Sequence, residues 1–170
     1  MNEVLDRWNR LPEEEAVREL LSCSGSRCWA RAMALQRPFR AAADVLMASD
    51  EACRALRRSD WLEAFASHPR IGASKADTPV AGRAEAWSCQ EQREVVLAGD
   101  AVKLALVEGN LAYEEKFGHI FIVCATGKSA GEILEILRRR LQNEREAEFS
   151  EAAEQQRQIT RLRLKKWLGT

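Results

Sequence analysis

Residues 65–72, "FASHPRIG", place one of the chain's two histidines where a helix must stop. Pro69 has no N–H and pushes the residue before it out of the α region. His68 therefore ends an element, with its imidazole projecting from a stiff corner. An imidazole titrates near ~6.5, so it can take or give a proton around neutral pH. The same residue would serve equally as an ordinary helix terminus, where a cation meets the negative end of the dipole. Further on, "WSCQEQ" (87–92) offers Ser88, Glu91 and Gln92. Ser88 and Glu91 have the spacing of an N-cap and its N3 partner, so Glu91 can simply close a capping box. Ser88 and Gln92 are one helical turn apart, so both can share a side with Glu91. In "ITRLRL" (159–164), Arg161 and Arg163 each carry a planar fork suited to an anionic oxygen. Either can also be plain surface.

Other motifs carry less. "ATGKSAGE" (125–132) contains Gly-Lys-Ser, but a phosphate loop needs a glycine where Ile122 stands, so Lys128 reads as a solvated turn residue. His119 opens an apolar run and reads as a structural histidine. Cys89 lies near the helix start expected at Ser88, which would favour its thiolate, yet no partner group is evident. The five cysteines are odd in number and form no C-x-x-C pair, and two histidines provide no zinc-ligand spacing. Reduced, mostly buried thiols in a cytoplasm and chemistry without a metal are the simplest account.

The elements that must position these groups read as almost wholly helical, an all-α chain forming one multi-helix domain over residues 1–170. "EVLDRWNRL" (3–11) is a short amphipathic helix, and Pro12 opens a second with three acids in its first turn. Breaks at "SGS" (24–26) and "RPF" (37–39) frame a third. A fourth spans about 40–58, and Ser59-Asp60 is expected to cap "WLEAFASH", with Glu63 in capping-box spacing. Residues 69–84 form the longest irregular stretch, a length often functional in compact domains. A long helical segment follows over about 86–116, kinked near Gly99 or Gly109. "HIFIVCA" (119–125) lacks helical period and should be extended and buried. Ser129 and Glu132 form a capping box for the next helix, and a last helix covers about 143–167.

Composition excludes several classes. Lys+Arg and Asp+Glu both number 26, so no global field draws nucleic acid or an anionic membrane. No apolar run approaches the roughly 20 residues of a membrane span. The start "MNEVLDRW" has no basic region followed by an apolar stretch, which argues against a secretory signal and for a cytoplasmic protein.

Read together and in order, "DWLEAFASHPRIG", "SCQEQ", "LAYEEKFGHIFIVCATGKSAGEIL" and "RLQNEREAEFSEAAEQQRQITRLRL" resemble the OHCU decarboxylase family. OHCU is 2-oxo-4-hydroxy-4-carboxy-5-ureidoimidazoline. The resemblance runs from about residue 37 to 164, and the first 35 residues match only loosely. It implies an all-α fold, usually a homodimer, that removes carbon dioxide from a small-molecule substrate, OHCU, to give (S)-allantoin. It implies no cofactor and no metal, and no nucleic-acid or membrane partner. It also implies that His68, Glu91 and Arg163 are the catalytic groups. Pro69, Ser88 and Gln92 are then linked with substrate binding, together with main-chain groups of Phe117, Gly118, Ile120, Phe121 and Ile122. Arg70 stands where some family members carry an acid. A catalytically inactive helical interaction module with the same fold is the competing expectation.

Overall fold

In the computed structural model, which describes residues 2–72 and 82–170, the described secondary structure is helical throughout. In chain order the helices are α1 (Glu3–Asn9), α2 (Glu13–Ser24), α3 (Arg27–Leu35), α4 (Ala42–Arg54), α5 (Arg58–Ala66), α6 (Arg83–Glu91), α7 (Arg93–Val96), α8 (Asp100–Phe117), α9 (Ala130–Arg140) and α10 (Arg145–Leu168). The chain divides into two compact units. One comprises the chain up to Ala64 together with Arg157–Thr170, and the other is Phe65–Gln156. Helices α5 and α10 carry the chain from one unit into the other.

In the first unit, Trp8 is fully buried. Its ring stacks near Phe39 and meets Trp167 edge-on at 5.5 Å, while its Nε1 donates to the Ala16 carbonyl at 3.0 Å. Arg37 stitches the "RPF" break to the end of α1 by donating to the carbonyls of Trp8 and Leu11. The expected cap of α5 is displaced. The helix begins at Arg58, and the Asp60 carboxylate accepts from the Arg57 N–H at 2.8 Å. Asp60 thus caps from the N3 position, reaching back to the Arg57 N–H, and Glu63 instead accepts from the Arg27 N–H at the start of α3.

In the second unit, α8 and α9 pack tightly because Gly109 has no side chain. A Cβ there would lie 2.6 Å from Cδ2 of the buried Leu137. The single long helix expected over 86–116 is three helices. Gln92 ends α6, and α8 starts afresh with Gly99 as its N-cap. Gly109 lies inside α8 as a close-packing glycine. Residues 73–81, most of the irregular stretch expected over 69–84, lie outside the described residues, and α6 begins at Arg83. Of the run 119–125 expected to be extended and buried, residues 121–125 are buried and non-helical while His119 and Ile120 are half-buried, and Ser129 with Glu132 closes the capping box of α9.

All five cysteines are free thiols, with Cys23, Cys53 and Cys124 buried and Cys28 and Cys89 exposed. Among the described residues no helix is long and apolar enough to cross a membrane.

Candidate functional site

His68 lies just past the end of α5. Its N–H donates to the Phe65 carbonyl at 3.0 Å, which closes a last turn before Pro69 prevents another. The residue is half-buried, as is Pro69. The three residues that follow are each held. Arg70 pairs with Glu114 of α8 through two hydrogen bonds, Nε to Oε1 at 2.6 Å and Nη2 to Oε2 at 2.8 Å. The Ile71 carbonyl accepts from Asn110 Nδ2 at 2.8 Å. The Gly72 N–H donates to Gln92 Oε1 at 3.4 Å. This last bond brings the His-Pro and Glu-Gln segments together within one unit.

The capping reading of "WSCQEQ" is overturned. Because α6 starts at Arg83, Ser88 sits inside the helix, buried, and Glu91 is the helix's last residue, half-buried. Neither caps an N-terminus, and Cys89 has no helix start beside it. Gln92 is the C-cap, and its side chain reaches back to Gly72.

Phe117 ends α8, and Gly118 turns the chain with φ 79°, in the left-handed region that suits glycine. The segment that follows is held by side chains, with no strand beside it among the described residues. Arg140 Nη1 donates to the Ile122 carbonyl at 2.7 Å, and the Cys124 N–H donates to Gln155 Oε1 at 2.8 Å. Lys128 Nζ donates to the Cys124 carbonyl at 2.8 Å, so it ties down this segment rather than standing free in a turn. His119 is ringed by aromatic side chains, with Phe65 at 5.1 Å, Tyr113 at 5.5 Å and Phe149 at 5.8 Å between centroids. That setting fits the structural role expected of it.

Beneath the segment lies a polar cluster that the sequence motifs do not announce. Arg140 and Glu148 are an ion pair with both side chains buried, Tyr113 Oη donates to Glu148, and Asn143 Nδ2 donates to its other oxygen at 2.8 Å. Burial and the Glu148 hydrogen bond push the Tyr113 phenol well above its ordinary range.

In the first unit, α10 gives the two candidate arginines, Arg161 and Arg163, different surroundings. Arg161 and Arg157, one turn apart, both bind Asp50, at 2.7 and 2.6 Å. Arg163 is 2 % exposed, and its Nη1 donates to the Ser22 carbonyl at 3.4 Å. A guanidinium stays charged, so a buried one needs polar company. Arg161 has its carboxylate at the partly exposed flank of α10, whereas Arg163 is buried.

Comparison with known proteins decides the family, since the model of the OHCU decarboxylase family matches residues 9–165. The chain belongs to the OHCU decarboxylase family. It is 32 % identical over 144 residues to the uric acid degradation bifunctional protein TTL of Arabidopsis thaliana, covering 85 % of this chain and 44 % of that one. It is 28 % identical over 168 residues to the uric acid degradation bifunctional protein PucL of Bacillus subtilis (strain 168), covering 95 % and 32 % respectively. The chain thus spans less than half the length of these relatives. A crystal structure of OHCU decarboxylase in the presence of (S)-allantoin matches with a TM-score of 0.77 and 30 % identity, over 89 % of this chain and 98 % of that one. The fold also matches (S)-allantoin synthase, with a TM-score of 0.68 and 19 % identity, over 96 % of this chain and 53 % of that one.

Proposed function

We propose that this chain decarboxylates OHCU to (S)-allantoin and carbon dioxide in the cytoplasm, as the last step of urate breakdown. The observation that carries the reading is the family match over residues 9–165, a span that contains His68, Glu91 and Arg163. In support, the His-Pro and Glu-Gln segments meet through Gly72 and Gln92. The similarity to a structure of OHCU decarboxylase obtained with (S)-allantoin present agrees with it.

The chemistry suits these groups. The substrate's carboxylate leaves a tetrahedral carbon that also bears a hydroxyl. When the C–C bond breaks, its electron pair stays on that carbon and spreads into the adjacent ring carbonyl and imine-like system. The ring is its own electron sink. The protein then supplies position, a proton delivered to one face, and stabilisation of the developing charge. His68 accepts or orients the substrate hydroxyl proton, a contribution typically worth about 10²–10⁴-fold. Glu91 holds the ring N–H or hydroxyl groups, and Arg163 takes an anionic oxygen or the ureido carbonyl in its fork. Ser88 and Pro69 line the substrate. Gln92 Oε1 is occupied by Gly72, so its Nε2 is the donor assigned to substrate. Main-chain groups of Phe117, Gly118, Ile120, Phe121 and Ile122 contact the ring. Because the Ile122 carbonyl already accepts from Arg140, its contact is assigned to the N–H.

The working assembly in this reading is a homodimer. Leu104, Val107 and Leu111 form an exposed apolar stripe along α8, with Leu97 exposed just before it. Two antiparallel copies of α8 related by a two-fold axis between Val107 and Glu108 would set each Leu104 against Leu111 of the other, a self-complementary contact.

The test generates OHCU from urate with urate oxidase and hydroxyisourate hydrolase and follows (S)-allantoin by circular dichroism. The expected result is rapid, optically active product with the parent chain. His68→Ala should fold normally and return the system to slow formation of racemate. Racemic product at the uncatalysed rate with the parent chain would end the proposal.

A further inference from the structure

We propose that Asn110 is a positioning residue for His68. It holds the chain that leaves the His-Pro corner, and the assignment rests on the reading that His68 handles the proton. Asn110 lies in the interior of α8, where asparagine is a poor helix former. Its position there calls for a reason other than helix building. It is 3 % exposed, and Nδ2 donates to the Ile71 carbonyl at 2.8 Å. Its Oδ1 is buried and has no hydrogen-bond partner among the described residues. A buried amide that leaves half its capacity unused is costly. The structure carries that cost for one bond, the bond to Ile71.

The link to His68 is short and stiff. Pro69 fixes one torsion between the imidazole's backbone and the anchored carbonyl. Glu114, one turn along α8, grips Arg70, and Gln92 accepts from Gly72. The Arg70–Glu114 pair is partly exposed, and such pairs contribute little. The Asn110 bond is the buried one of the three, so it sets where the corner sits. All these residues lie within Phe65–Gln156.

The deciding variant is Asn110→Leu, which keeps the branched side-chain skeleton, removes the donor and removes the unpaired oxygen as well. Two readouts are taken on the full chain. The first is kinetics in the coupled assay, where kcat should fall about tenfold or more with KM within about twofold. The second is the NMR spectrum of the imidazole Cε1–H groups. The chain has two histidines, hence two signals. The His68 signal should move or broaden while that of His119 stays in place. A folded Asn110→Leu chain with parental kcat and an unmoved His68 signal would overturn the proposal. Should leucine prevent folding, Asn110→Ser carries the same two readouts, and the same pair of results upholds or overturns the proposal. Activity surviving in His68→Ala would instead remove the catalytic reading of His68, whereas the NMR result judges the positioning by itself.

Discussion

Arg140 and Glu148 form a fully buried ion pair, with Arg140 Nε donating to Glu148 Oε1 at 2.8 Å and Arg140 Nη1 extending to the Ile122 carbonyl at 2.7 Å. A charge pair at this depth is not a gift to stability, because two ions lost their water to form it. Its use is geometric, since it gives the irregular segment 120–125 a fixed donor at the Ile122 carbonyl. Removing one partner leaves the other charged and dry. Glu148→Ala should therefore cost about 3–5 kcal/mol in urea unfolding. The double replacement Arg140→Met with Glu148→Leu should recover most of that loss, yet leave the Ile122 carbonyl without its donor and lower turnover. Recovery of both stability and turnover would show that the network does not shape the site.

Tyr113 makes a second, pH-dependent prediction. Burial first, and the hydrogen bond to Glu148 second, raise its phenol above the ordinary value of 10.0. A group whose folded value is raised contributes stability that is complete below the unfolded value and lost as pH climbs above it. Unfolding free energy should thus decline above about pH 10, as the unfolded chain releases a proton that the folded one keeps. Tyr113→Phe should be less stable at about pH 8 but show a shallower decline between about pH 9 and 11. Parallel slopes for the two chains in urea titrations would assign the alkaline loss to other groups.

Arg163 and Arg161 make a paired test. Arg161 is tied to Asp50 at the partly exposed flank of α10, whereas Arg163 is buried. Lysine keeps the charge but loses the planar fork. Arg163→Lys should lower kcat/KM on the order of 10²-fold, the scale of losing one preorganised donor. Arg161→Lys should leave it within about twofold, as for an exposed pair of small worth. The reverse ranking in the coupled assay would move the substrate's anion partner to Arg161.

Much of this was legible in the sequence, and the misses have physical causes. The capping box at Ser129 was readable because both halves of it are local. The same pattern at Ser88 misled, because α6 starts upstream of it at Arg83 and a serine at the sixth position of a helix looks no different in the sequence. Asn110 had a faint signal as an amide inside a helix. So did Arg140, which falls on the apolar face shared by Ile133 and Leu137. Both were hidden because their partners, the Ile71 carbonyl and Glu148, are set by tertiary packing. The choice between Arg161 and Arg163 was unreadable for a related reason. Two positions apart on a helix face different ways, but the buried stripe of α10 includes Gln156 and Thr160 as well as Ile159 and Leu164, so hydropathy alone does not reveal which side is inside.

The exposed stripe on α8 gives the last prediction. Leu104 and Leu111 are 60 % and 63 % exposed, more than an isolated helical chain needs to show on one face. Leu104→Glu combined with Leu111→Glu puts like charges opposite one another across an antiparallel two-fold contact, at the cost of little else, because neither side chain belongs to the buried core. The parent chain should sediment as a dimer and the double variant as a folded monomer, with helical circular dichroism unchanged. Sedimentation equilibrium at several concentrations checks this directly. A double variant that remains dimeric would place the interface on another face of the molecule, and a parent chain that is monomeric at every concentration would remove the homodimer from the functional reading.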